Sequence, residues 1–169
     1  MESSVSITIV PYDARWPDLY AREAKRIRRL LGPRALSVEH VGSTAVSGLA
    51  AKPRIDIDLV VPDSADESSY VPSLESAGYF LVVREPEWQE HRVLKGPDTD
   101  MNLHVFSPGA PELERHRGFR DWLRSHPDDR EKYASLKAKL ARKRWPSVDA
   151  YAEAKGDFIE SVLIRAQCS

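Results

Sequence analysis

Apolar and polar residues along this chain recur in two rhythms, one of period two and one of helical period. Val5, Ile7 and Ile9 alternate with polar residues, which predicts a short strand or extended edge segment ending at Pro11. From Pro17 to Leu31 the apolar positions Leu19, Ala24, Ile27, Leu30 and Leu31 fall at helical spacing, with Arg22, Glu23, Lys25 and Arg26 among the exposed ones. Gly32-Pro33 stops that helix. Strands are predicted over Ala35 to Val41 and Arg54 to Val61, with a short helix over Val46 to Ala51 between them, ended by Lys52-Pro53. After a turn at Pro62-Asp63-Ser64, Asp66 to Ala77 reads as a helix that Gly78 closes. Tyr79 to Val83 and His91 to Leu94 read as strands around the loop Glu85-Pro86-Glu87-Trp88-Gln89. The Gly96 to Asp100 turn then pairs the His91 strand with Met101 to Phe106 as a hairpin.

Beyond Pro108 the period becomes helical throughout. Pro111 to Arg124, Asp128 to Arg144 and Ser147 to Ala166 form three amphipathic helices, separated by His126-Pro127 and Trp145-Pro146. The pattern describes one unit over residues 1–169: an α/β core over 1–107 and a helical part, 108–169, packed on it. No repeat, low-complexity segment or long linker interrupts it.

Candidate chemistry concentrates between Val38 and Val61. Residues two apart on a strand share a face, so Asp56 and Asp58 project together while Ile55, Ile57 and Leu59 enter a core. Neighbouring carboxylates repel unless a proton or cation sits between them. A hard divalent ion, Mg2+ or Mn2+, is the cheapest partner at neutral pH and keeps positions open for phosphates. Gly42-Ser43, at the exit of the preceding strand, lets backbone N–H groups approach an anion. The stretch thus offers one side to a polyphosphate and the other to its metal.

Gly42-Ser43, followed after twelve residues by Asp56-Ile57-Asp58, resembles the signature of the nucleotidyltransferase superfamily with the polymerase-beta-like fold. The fuller wording, GSTAVSGLAAKP and then DIDLVV, is similar to the GrpB-like family within it. Asn102 to Phe106, Phe119 to Arg124, Tyr133 and Lys137 extend the resemblance over nearly the whole chain. Ser47 stands where a proline is expected and Arg54 where an aliphatic residue is expected. The resemblance implies a mixed β-sheet with flanking helices, and a metal-dependent transfer of NMP from an NTP to a hydroxyl of a small-molecule or protein acceptor. It also implies a third carboxylate on a later strand; the polar positions there are Asn102 and His104, neither an acid. His104 can ligate a metal, act as base, or be a hydrogen-bonded core histidine. The alternative is a nucleotide-binding or partner-stabilising module without turnover. Similar domains are fused to dephospho-coenzyme A kinases.

Further residues enter with two readings each. Glu39 can supplement the acids, and Lys52 can touch a phosphate or be solvated. Arg92, on a strand among apolar neighbours, needs an anion: a phosphate, Asp56, Asp58 or Glu90. Arg120 and Arg124, at i and i+4, can grip a phosphate or make helix salt bridges to Glu114 or Asp128. Tyr133 and Lys137 repeat that spacing and either line the same cleft or serve packing and solvation. The basic run Lys137 to Arg144 lies on an amphipathic helix rather than forming a nucleic-acid surface.

Composition narrows the picture little. The chain has 169 residues, 41% apolar and 30% charged, with a formal net charge of −1, which argues against a protein built to coat nucleic acid. Its single cysteine, Cys168, excludes an intrachain disulfide or a cysteine-based zinc site. The N-terminus lacks an apolar signal core and no run is long enough to span a bilayer, so cytoplasmic residence is the expectation. Neither a Walker-type loop nor Gly-x-Ser-x-Gly nor His-Glu-x-x-His occurs.

Overall fold

The computed structural model describes residues 6–167, so Val5 and Cys168 lie outside the described residues. Helix α1 (Trp16–Leu31) leads into β1 (Ser37–Val41), β2 (Ile55–Val60), α2 (Val71–Glu75), β3 (Phe80–Glu85), β4 (His91–Lys95) and β5 (Met101–Phe106). Four helices follow: α3 (Pro111–Ser125), α4 (Pro127–Ala141), α5 (Val148–Ala154) and α6 (Gly156–Gln167). The strands form one mixed sheet in the order β1-β2-β5-β4-β3, in which only β2 and β5 run parallel. The expected mixed sheet, flanking helices and helical C-terminal part are all present. No helix among the described residues is long and apolar enough to cross a membrane.

One sheet face is dry. Ile55, Ile57 and Leu59 of β2 pack with Leu103 and Val105 of β5 and with Ile27 and Leu31 of α1. Burying each such side chain contributes about 1.5–3 kcal/mol, which fixes the register of β2 and so fixes which face the intervening residues take. A polar tie locks α1 to this core: the fully buried Glu23 accepts hydrogen bonds from the Tyr79 hydroxyl and from Thr99 Oγ1.

Several elements differ from the sequence expectation. Ile7 and Ile9 belong to no strand; the segment pairs only through a bridge between Val10 and Ala51, and Ile7 instead packs against Leu140 and Tyr151. The helix expected over Val46 to Ala51 does not form. A single 3-10 turn spans Ser43–Ala45, and Gly48, with φ +82°, turns the chain out of any helix. The helix expected over Asp66 to Ala77 is split into a 3-10 turn, Glu67–Ser69, and α2, because Pro72 can occupy only a first turn. The last expected helix breaks between α5 and α6 at Lys155-Gly156.

Arg92 projects from β4 to the dry face, since it stands opposite Val105. Its Nε donates to Glu67 Oε2 at 3.0 Å and its Nη1 to the Glu90 carbonyl at 2.9 Å. Arg84 donates to the same carboxylate, and these arginine hydrogen bonds hold Glu67 down at about 2. Replacing Glu67 by Gln leaves the buried Arg92 without its counter-charge, and we expect a loss of about 2–3 kcal/mol in urea unfolding at neutral pH. Because the folded-state value is depressed, the Glu67 contribution is present above about 4.5 and lost as pH falls towards 2. The difference between Glu67→Gln and the parent should therefore shrink steadily across that window.

Candidate functional site

The site is laid out by the rungs of the sheet. Glu39, Asp58, His104 and Val93 stand in one row across β1, β2, β5 and β4; Asp56, Asn102 and Lys95 stand in the adjoining row beside Val41. Both rows face away from the dry core, so Asp56 and Asp58 share a face.

Asp56 opens into a cleft of about 310 Å3 between this face, the β1–β2 connection and the C-terminal helices. Its Oδ1 accepts from Asn102 Nδ2 at 3.3 Å and lies 3.2 Å from His104 Nε2. Burial by itself lifts the Asp56 carboxyl, but His104, Asn102 and the charge of His116 hold it below the usual range. Gly42 sits against the other oxygen. With φ +77° and ψ −176° it occupies backbone space reserved for glycine, and a Cβ there would fall 2.8 Å from Asp56 Oδ2. Gly42 and Ser43 both line the cleft, as does Lys52.

Asp58 is buried one rung away. Its Oδ2 accepts from His116 Nδ1 at 2.7 Å, and His116 Nε2 reaches Glu112 Oε1 at 3.2 Å. Burial pulls His116 down, yet its two carboxylate partners outweigh it and raise the imidazole to about 10. At neutral pH an imidazolium therefore clamps Asp58 to α3. The second oxygen, Asp58 Oδ1, is buried with no hydrogen-bond partner.

His104 does not end at Asp56. Its Nδ1 lies 3.0 Å from His91 Nε2, and His91 Nδ1 lies 2.7 Å from Glu85 Oε1. The row of rings is stacked, His104 on His91 and His91 on Phe106.

The far end of the cleft is cationic. Lys52, Lys137 and Lys155 line it, and none of them forms an ion pair with a carboxylate among the described residues. Lys137 Nζ donates to the Ala50 carbonyl at 2.7 Å and stands over the Tyr133 ring; Lys52 and Lys155 stand over the Tyr151 ring. Burial, and then repulsion from the other lysines, pushes Lys137 down to about 7. Lys155 falls to about 8 for the same reasons, and burial lowers Lys52 as well.

Three arginines do not line this cleft. Arg92 lies on the opposite face of the sheet. Arg120 donates to Glu39, the His40 carbonyl and Asp121, and Arg124 Nε donates to the Ala45 carbonyl at 2.9 Å. Neither uses Glu114 or Asp128 as partner. They tie α3 to the backbone of β1 and of the turn after it, and Glu39 is engaged by Arg120. Tyr133 and Lys137, by contrast, are buried and line the cleft. His116, Glu112 and Lys155 are absent from the sequence expectation. The i,i+4 spacing of Glu112 and His116 is legible in sequence; their convergence on Asp58 is not.

The donor set suits a hard or borderline cation. Two carboxylates share one face, one carboxylate oxygen is buried without a partner, and a glycine leaves room beside the other residue's carboxylate. No group of three or more His, Cys, Asp or Glu side chains among the described residues is arranged to hold a metal unaided. Any ion here would complete its shell with water or ligand oxygens.

The protein-family comparison matches residues 6–165 to the family described as GrpB protein. The UPF0157 protein BH1888 of Halalkalibacterium halodurans is 58% identical over 98% of this chain and 85% of its own length. A dephospho-CoA kinase of Mycolicibacterium paratuberculosis is 30% identical, over 95% of this chain and 46% of that protein. Among solved structures, the conserved protein GrpB from Enterococcus faecalis superposes with a TM-score of 0.81 at 31% identity, covering 94% of this chain and 96% of the other.

Gly42 provides a direct check on the geometry of the turn. Gly42→Ala should cost about 2–4 kcal/mol, from backbone strain and from contact with Asp56. Chemical denaturation measures it, and a loss below about 1 kcal/mol would mean that the turn relaxes without cost.

Proposed function

This chain belongs to the GrpB family, and from that premise we propose that its cleft binds a nucleoside triphosphate with a divalent cation and transfers NMP to a hydroxyl of a small-molecule or protein acceptor. The observation that carries this reading is the division of one cleft into an acidic end at Asp56 and an end with three lysines that pair with no carboxylate among the described residues. A metal–polyphosphate complex matches that division: the cation goes to the acids and the phosphate charge to the lysines.

In this arrangement Asp56 and Asp58 hold the cation, and Gly42 keeps space for it beside Asp56. Bound Mg2+ or Mn2+ would supply neutralisation of charge on the reacting and leaving oxygens. Ser43 and the turn behind it border the phosphates, and Lys52, Lys137 and Lys155 counter their charge. An acceptor hydroxyl would form a bond to the α-phosphorus as the bond to the pyrophosphate oxygen breaks. Arg120 and Arg124 act at one remove, by holding the carbonyls of His40 on β1 and Ala45 in the turn. A cytoplasmic setting would supply both nucleotide and magnesium.

A second reading has an observation of its own. Each aspartate already meets a histidine, His104 or His116, and the β5 positions beside them are Asn102 and His104 rather than a third acid. That charge balance suits a module that binds nucleotide without turning it over. The fusion of similar sequence to a dephospho-CoA kinase fits a partner-stabilising version of it.

Two measurements bear on these readings. Purified protein incubated with labelled NTPs, Mg2+ or Mn2+ and acceptor pools should release pyrophosphate, and Asp56→Asn with Asp58→Asn should abolish it. Unchanged release from that double variant removes the proposed mechanism; binding by calorimetry without any release favours the module. Separately, because Lys137 and Lys155 titrate low when free, polyphosphate binding at pH ~8 should draw protons onto them. Calorimetry in buffers of different ionisation enthalpy reads this uptake, and Lys137→Met should reduce it.

A further inference from the structure

The chain of groups running from the edge of the sheet to Asp56 has a consequence for the cation. Glu85 Oε1 can only accept, so His91 Nδ1, 2.7 Å away, carries a hydrogen. In a neutral His91 the other nitrogen is then an acceptor, and His104 Nδ1, 3.0 Å from it, must donate. His104 Nε2, 3.2 Å from Asp56 Oδ1, is then the ring position whose proton a cation can replace.

We propose that Glu85 and His91 are positioning residues that fix His104 with Nδ1 protonated, so that His104 Nε2 and Asp56 together ligate the divalent cation as a mixed nitrogen–oxygen site.

The spacing supports it. Donors each about 2.1 Å from an ion and at right angles stand about 3.0 Å apart, close to the observed separation. The support behind His104 has the form that ligating histidines commonly show, with the remote ring N–H engaged by an acceptor that is itself held in place. His91 is buried, stacked on Phe106 and in edge contact with Trp88, so the acceptor cannot swing away. The turn that delivers it is pinned as well: Gln89 Oε1 accepts from the Glu112 N–H at 2.9 Å.

This inference rests on the proposed cation-binding role of the cleft and refines it by naming the metal. Imidazole nitrogen is a good ligand for transition ions and a poor one for Mg2+, so the site should prefer Mn2+ or a related transition ion.

The test uses Mn2+ alone with the full chain and no nucleotide. Electron spin echo measurements should show a 14N coupling from a directly bound imidazole. His104→Ala should abolish that coupling and weaken Mn2+ binding about 10–100-fold, while Mg2+ binding changes far less. His91→Phe, which keeps the ring stack but removes the acceptor, should weaken Mn2+ binding about tenfold with an unchanged circular dichroism spectrum. A 14N coupling that survives in His104→Ala, or Mn2+ binding with no nitrogen coupling in the parent, overturns the proposal. The two readings fail separately. Nitrogen-coupled Mn2+ without any nucleotide binding would sink the transferase reading alone, and Mg2+–nucleotide binding without nitrogen coupling would sink this one alone.

Discussion

The parallel pairing of β2 with β5 is the constraint from which the site follows. It sets Asp56 beside Asn102 and Asp58 beside His104 on the face away from the core. Two anionic side chains on alternate residues of a half-buried strand are costly unless positive charge or hydrogen-bond donors come to them. The fold brings these from opposite directions. His104 and Asn102 come laterally, along the sheet, and His116 comes from above, on α3. Each aspartate is thus specified by contacts made far along the chain, and the dry face beneath holds the register that lets them meet.

The same logic explains why the cleft has two electrostatic ends. Its acids are compensated by histidines within the fold, but among the described residues its lysines meet aromatic faces and a carbonyl rather than a paired carboxylate. Cation–π contacts of this kind contribute on the order of 0.5–2 kcal/mol, much less than a buried carboxylate would. The free protein therefore keeps lysines whose proton affinity is reduced, a cost that an incoming anion removes. An anion bound there would draw part of its binding energy from relieving that cost.

How much of this was legible in the sequence varies with the range of the interaction. β2 could be read directly, since the alternation of Ile55, Asp56, Ile57, Asp58 and Leu59 is a local pattern that burial enforces. Gly42 could be read as a close approach, although its partner, Asp56 Oδ2, emerged only from the fold. The segment from Val46 to Ala51 carries apolar residues at helical spacing without forming a helix. Val46 and Leu49 pack against α3 and α4, and Gly48 turns the backbone. The arginines illustrate a different point. Arg92, Arg120 and Arg124 do find acceptors, as buried guanidinium groups must, but those acceptors are Glu67, Glu39 and backbone carbonyls distant in sequence. Sequence indicates that a buried charge needs a partner without saying which.

The ties from the C-terminal helices to the β1–β2 connection bear on how this chain could be divided. Arg120 on α3 satisfies the carbonyl of His40 on β1, while Arg124 on α3 and Lys137 on α4 satisfy those of Ala45 and Ala50 in the connection after it. The helical part is therefore not an accessory laid over a finished core; it supplies the hydrogen bonds that the irregular loop of the core lacks. A gene fragment ending after β5 would encode Asp56 and Asp58 without the helices that complete the cleft. Recombination or fusion would thus have to carry both parts together, as one inheritable unit.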